Sequence, residues 1–64
     1  MDFHVLVDRV RSEFREMPGL QLTPAQASRL LGIEPAACRS VIDALINAAF
    51  LRRTSAGTIV RSES

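Results

Sequence analysis

The chain has one cysteine, one histidine, no lysine and no long apolar run. A lone Cys38 excludes an intramolecular disulfide and leaves a zinc site short of its usual ligands. It falls on what reads as the inward face of a helix, where a free cysteine serves as a small buried hydrophobe. His4 has no second histidine and no paired cysteine to work with, so it is expected to be exposed and functionally silent. No apolar stretch approaches the ~20 residues of a bilayer crossing, and no secretory signal is legible, so a soluble, cytoplasmic protein without a membrane partner is expected. Enzyme constellations are missing as well: there is no nucleophile–base pair, no phosphate-binding loop and no metal-ligand cluster. The expectation is a non-enzyme with no cofactor and no small-molecule substrate.

Strong net charge is also lacking, at +1 over 64 residues. Its distribution says more than its sum. Residues 1–23 carry three arginines against four acids, a net of −1, whereas residues 24–64 carry five arginines against three acids, a net of +2. Positive charge is biased toward the C-terminal two thirds. All eight basic residues are arginine, which fits both GC-rich coding and a need for bidentate phosphate contacts. A chain this short makes one domain that buries only about 60% of its unfolded surface, so further burial against a dimer partner or ligand would be stabilising.

What is present is concentrated in residues 22–53, LTPAQASRLLGIEPAACRSVIDALINAAFLRR. Thr23 can act as N-cap, Pro24 suits the first helical position and Gln26 completes a capping box, so a helix is expected over about 24–31. Its apolar side is read as Ala27, Leu30 and Leu31, with Gln26, Ser28 and Arg29 outward. Gly32 supplies the left-handed conformation that ends it, and Ile33 turns back onto the core. Pro35 opens a second helix over about 35–48, with Cys38, Val41, Ile42, Leu45 and Ala49 at apolar spacing and Ala36, Arg39, Ser40, Asp43 and Asn47 on the other face. Two helices joined by a short glycine-containing turn form a helix-turn-helix.

These residues resemble the DNA-binding core of the MarR-type and related winged-helix transcription regulators, and residues 50–61 resemble their wing. The match covers about half the chain closely and most of it loosely. It implies a mainly α winged helix-turn-helix: three helices plus a two- or three-stranded wing sheet, in a single domain over 1–64. Two positions depart from the family pattern. Glu34 stands where serine or threonine usually caps the recognition helix, its carboxylate suiting the helix dipole. Ala49 stands where glycine usually precedes the wing strand, and must either avoid positive φ or adopt it at a cost of roughly 1 kcal/mol.

The flanking segments complete that architecture. Phe3, Leu6, Val7, Val10, Phe14 and Met17 form one apolar stripe on a helix over about 2–16, capped by Asp2 and ended by Pro18 and Gly19, as the third wall of the core. Val5 points the other way. Residues 20–22 alternate like a short strand that pairs with the wing. Phe50–Thr54 and Thr58–Ser62 flank Ser55, Ala56 and Gly57 as a hairpin. Phe50 is expected in the core, supported by Ile59 or Val60, with Arg52, Arg53 and Arg61 along the sheet surface. Ser62 to Ser64 reads as a frayed polar tail.

The resemblance implies a small protein that binds double-stranded DNA, a transcriptional regulator or accessory factor. Pro35, Ala36, Ala37, Arg39 and Ser40 would enter the major groove, with Arg39 on a guanine edge, and Ser40, Thr23 and Gln26 near phosphates. Arg52, Arg53 and Arg61 would be the wing contacts, the alternative being that they keep an exposed strand edge from aggregating. Because one recognition helix reads few base pairs, a homodimer through the first helix is expected. The competing function is a winged-helix protein–protein interaction module without DNA binding, which the low net charge, Glu34 and Asp43 favour.

Overall fold

The computed structural model describes residues 2–62. Glu63 and Ser64 of the expected polar tail lie outside them. Across the described residues the chain forms three helices, α1 (Phe3–Glu16), α2 (Pro24–Leu31) and α3 (Pro35–Asn47), and three short strands, β1 (Gln21–Leu22), β2 (Leu51–Arg53) and β3 (Ile59–Arg61). The strands form one antiparallel sheet in the order β1-β3-β2.

α1 starts where Asp2, in extended conformation, accepts a hydrogen bond from the His4 amide at 3.2 Å. Leu6, Val10 and Phe14 of its stripe are buried and Val7 is half-buried, but the ends are not: Phe3 is 43% and Met17 45% exposed. α1 packs chiefly on α3. Its apolar stripe therefore overhangs the core at both ends, and the expected third wall is the middle of that stripe.

α2 begins on the expected capping box: Thr23 Oγ1 accepts from the Gln26 amide at 3.1 Å, and Gln26 Oε1 accepts from the Thr23 amide at 2.9 Å. It ends on Gly32 at φ 65°, with the Gly32 and Ile33 amides both donating to the Ser28 carbonyl. The face assignment needs correction at two positions. Ser28 is buried at 9% exposure and Leu30 stands out at 60%. The reason is local chemistry: the Ser28 hydroxyl donates to the carbonyl of Ile33, which satisfies the turn from inside and takes the inward position.

α3 buries Cys38, Val41, Ile42 and Leu45, each at no more than 1% exposure. Ala49, read as the last member of that row, instead lies beyond the helix and is exposed. It adopts φ 61°, so the costlier of the two alternatives is realised. The geometry around it is a Schellman ending: Ala49 N–H donates to the Ile46 carbonyl and Phe50 N–H to that of Leu45, at 3.0 and 2.9 Å. The left-handed residue reverses the chain into β2.

In the sheet, Leu22 and Arg53 both face Ile59 of β3, while Gln21 and Arg52 both face Val60. The expected 20–22 strand thus pairs with the return strand of the hairpin. Between β2 and β3 the Thr54–Thr58 pair closes a three-residue tip, Ser55 to Gly57, with Gly57 at φ 84°, Gly57 N–H donating to the Thr54 carbonyl and Thr54 N–H to that of Thr58. Leu51 and Ile59 are the hairpin residues that enter the core, at 2% and 0% exposure. Phe50 was expected there. It is half-buried at the core's edge, its place taken by Leu51, the first residue of the strand proper.

Candidate nucleic-acid interface

α2 and α3 follow one another with three residues between them, and α3 is pinned inward by Cys38, Val41, Ile42 and Leu45. That pinning turns Ala36, Arg39, Ser40, Asp43 and Asn47 outward, and all five are exposed. Pro35 at the helix start is exposed too, while Ala37 is half-buried against the core and offers less surface than its neighbours. Glu34 makes no side-chain cap to the first turn of α3. Its carboxylate lies exposed at the helix N-terminus, where it suits the dipole and would repel an approaching phosphate.

Arg39 is exposed and makes no ion pair among the described residues. Ser40 donates back to the Ala36 carbonyl at 3.3 Å, a long bond that a better acceptor would displace. Thr23 and Gln26 use only acceptor atoms and backbone amides in their capping box. The Thr23 hydroxyl proton and the Gln26 amide protons therefore remain available to an anion. Arg29, one turn beyond Gln26, is exposed and was not among the expected contacts. It rims a shallow apolar hollow lined by Leu22, Gln26 and Leu30.

The hairpin arginines do not share one surface, which corrects the expectation that Arg52, Arg53 and Arg61 all project along the sheet surface. Alternation along a strand sends neighbours to opposite faces. Register then places Leu51, Arg53, Ile59 and Arg61 on the helix side, and Arg52 with Val60 and Gln21 on the outer side. Arg52 is exposed there, beside the Pro18–Gln21 segment. Arg53 Nη2 meets Asp43 Oδ1 of α3 at 3.1 Å. Arg61 is half-buried, its guanidinium 5.7 Å from the centroid of the Phe50 ring, and Arg11 of α1 approaches the same ring at 5.9 Å. These distances lie within the range of cation–π attraction. The aromatic residue expected in the core instead gathers two arginines at its margin.

No family model, curated protein or solved structure matches the chain. Among the described residues no group of three or more His, Cys, Asp or Glu side chains is placed to hold a metal ion, and no helix is long and apolar enough to cross a membrane. Cys38 lies 1% exposed with its thiol directed at the Pro24 carbonyl, 4.0 Å away, and burial pushes that thiol above its ordinary value. A protonated, enclosed thiol is inert, in line with a packing role. Asp43 as the partner of Arg53 escaped sequence reasoning because the two are ten residues apart on different elements, and only the chain reversal at Ala49 joins them.

Proposed function

We propose that this chain is a small DNA-binding protein of the winged helix-turn-helix type, a transcriptional regulator or accessory factor. The observation that carries the reading is the outward face of α3, where Arg39 stands exposed and unpaired among the described residues, flanked by a hairpin whose outer face offers Arg52. In this reading Arg39 reads a guanine edge in the major groove while Ser40, Thr23 and Gln26 meet phosphates, and Ala36 offers a methyl contact to thymine. Arg52 supplies the wing's sequence-independent contact. A single α3 contacts few base pairs, so the reading includes a symmetric dimer through α1 that spans half-sites about 34 Å apart. Val5, 51% exposed on the side of α1 away from its apolar stripe, supports that contact.

Titration with random-sequence duplex DNA, followed by backbone amide shifts, tests this reading. Expected are shifts confined to residues 23–40 and the hairpin, weakening as salt rises. A second reading, docking on another protein, is favoured by one observation: Leu30 is 60% exposed beside Leu22 on the outer side of α2. Absence of salt-dependent DNA binding would transfer the function to that surface.

A further inference from the structure

Asp43 has two arginines within reach. Arg39 stands one helical turn before it, at i, i+4 spacing, yet the ion pair forms with Arg53 of β2, at 3.1 Å. A base preceding an acid is the weaker order for such a pair along a helix, because it opposes the dipole. The carboxylate on the outer face of α3 thus neutralises the wing arginine and leaves the helix arginine without an ionic partner among the described residues.

Exposure decides what this pair can do. The Arg53 side chain is 50% and the Asp43 side chain 56% exposed. Pairs so open to water are worth a factor of only about two to five in an equilibrium constant. The contact is too weak to be a structural lock, and a duplex backbone presents a far denser array of negative charge than one carboxylate. A phosphate reaching the wing would win Arg53.

We propose that Asp43 is an internal counter-ion that limits the affinity of this surface for DNA. Arg53 is held by Asp43 in the free protein and exchanges that carboxylate for a backbone phosphate on binding. The inference rests on the DNA-binding reading above and adds to it a residue that sets affinity from within the recognition face.

The experiment is a double-mutant cycle with Asp43→Asn, Arg53→Ala and the combined variant, each titrated with random-sequence duplex DNA at several salt concentrations. Asp43→Asn should bind about two- to fivefold tighter than the parent, the reciprocal of the pair's strength. Arg53→Ala should bind more weakly, and in that background Asp43→Asn should recover less than half of its gain on a logarithmic scale. Equal gains in both backgrounds would overturn the proposal, since Asp43 would then act only through net charge. Weaker binding by Asp43→Asn would overturn it too, because the carboxylate would be orienting Arg53 on the DNA. If the parent itself shows no salt-dependent binding, the DNA-binding reading fails and carries the proposal with it, an outcome visible before any variant is compared. Thermal melts of all four proteins keep a folding defect from passing as a change in affinity.

Discussion

Gly32 and Ala49 hold the same place in two successive helix endings, at φ 65° and φ 61°, and only the first is a glycine. At each, the next residue's amide donates back to the helix, Ile33 to Ser28 and Phe50 to Leu45. A Cβ in the left-handed region costs roughly 1–2 kcal/mol, offset in part by the lower entropy of an unfolded alanine. Ala49→Gly should therefore raise stability by about 0.5–1 kcal/mol, and Gly32→Ala should lower it by about 1 kcal/mol. For a domain this small, 1 kcal/mol moves the thermal midpoint by about 4–8 °C. Calorimetric midpoints for the two variants moving in the same direction would refute the shared motif.

Leu45 and Leu30 form a second contrast. Leu45 is 1% exposed on α3 and Leu30 60% exposed on α2. Leu45→Ala leaves a cavity among packed side chains and should cost roughly 2–5 kcal/mol, enough to unfold the domain. Leu30→Ala touches only surface and should stay within about 0.5 kcal/mol. Urea denaturation midpoints check both. A costly Leu30→Ala would restore the inward assignment that the sequence pattern suggests.

The alkaline limb of the stability curve should report one side chain. With no lysine and no tyrosine, Cys38 is the sole side chain that ordinarily titrates between the histidine and arginine ranges. Burial raises its thiol above the ordinary 9.0, so the folded state favours the protonated form. Below that value both states keep the proton and Cys38 adds no pH dependence. As pH climbs past 9.0 the unfolded chain ionises first, and stability falls until the folded thiol ionises too. Equilibrium unfolding at a series of pH values should show this decline in the parent and lose it in Cys38→Ala. A decline that persists in Cys38→Ala would assign it elsewhere.

On DNA, Arg39 and Arg52 should behave differently. Arg52→Ala should weaken binding to all duplexes alike and flatten the salt dependence by about 0.9 per lost phosphate contact. Arg39→Ala should erase base preference at about 1–3 kcal/mol per guanine contact. Adding Arg53→Ala to Arg52→Ala should subtract less than a full contact, because Asp43 already offsets Arg53 in the free protein. Binding curves against a panel of duplexes at two salt concentrations separate these effects. Identical losses from Arg39→Ala on every duplex would remove its role in base reading.

Local chemistry was legible in the amino-acid sequence wherever one short segment carries its own instructions. Thr23, Pro24 and Gln26 set the start of α2, Gly32 set its end, and Gly57 set the hairpin loop, because each acts within a few residues of itself. Apolar spacing likewise identified Cys38, Val41, Ile42 and Leu45 as the inward row of α3. Spacing was a poorer guide on α2, where a hydroxyl bonded to the turn proved a better inward residue than a leucine. It also could not tell how much of α1's stripe would find a partner, since coverage depends on where α3 lies.

Only the tertiary structure decided how the arginines are divided. Arg52 and Arg53 are neighbours in the chain, yet strand alternation sends one to the outer face and the other toward α3, where Asp43 meets it. Phe50 in turn lies at the core's edge, within reach of Arg11 and Arg61, because Leu51 takes the buried site. Charge and hydrophobicity are properties of residues and can be read one at a time. Which charge faces which partner depends on the crossing of elements far apart in sequence, and that is fixed only when the chain turns at Ala49 and folds the hairpin back along α3.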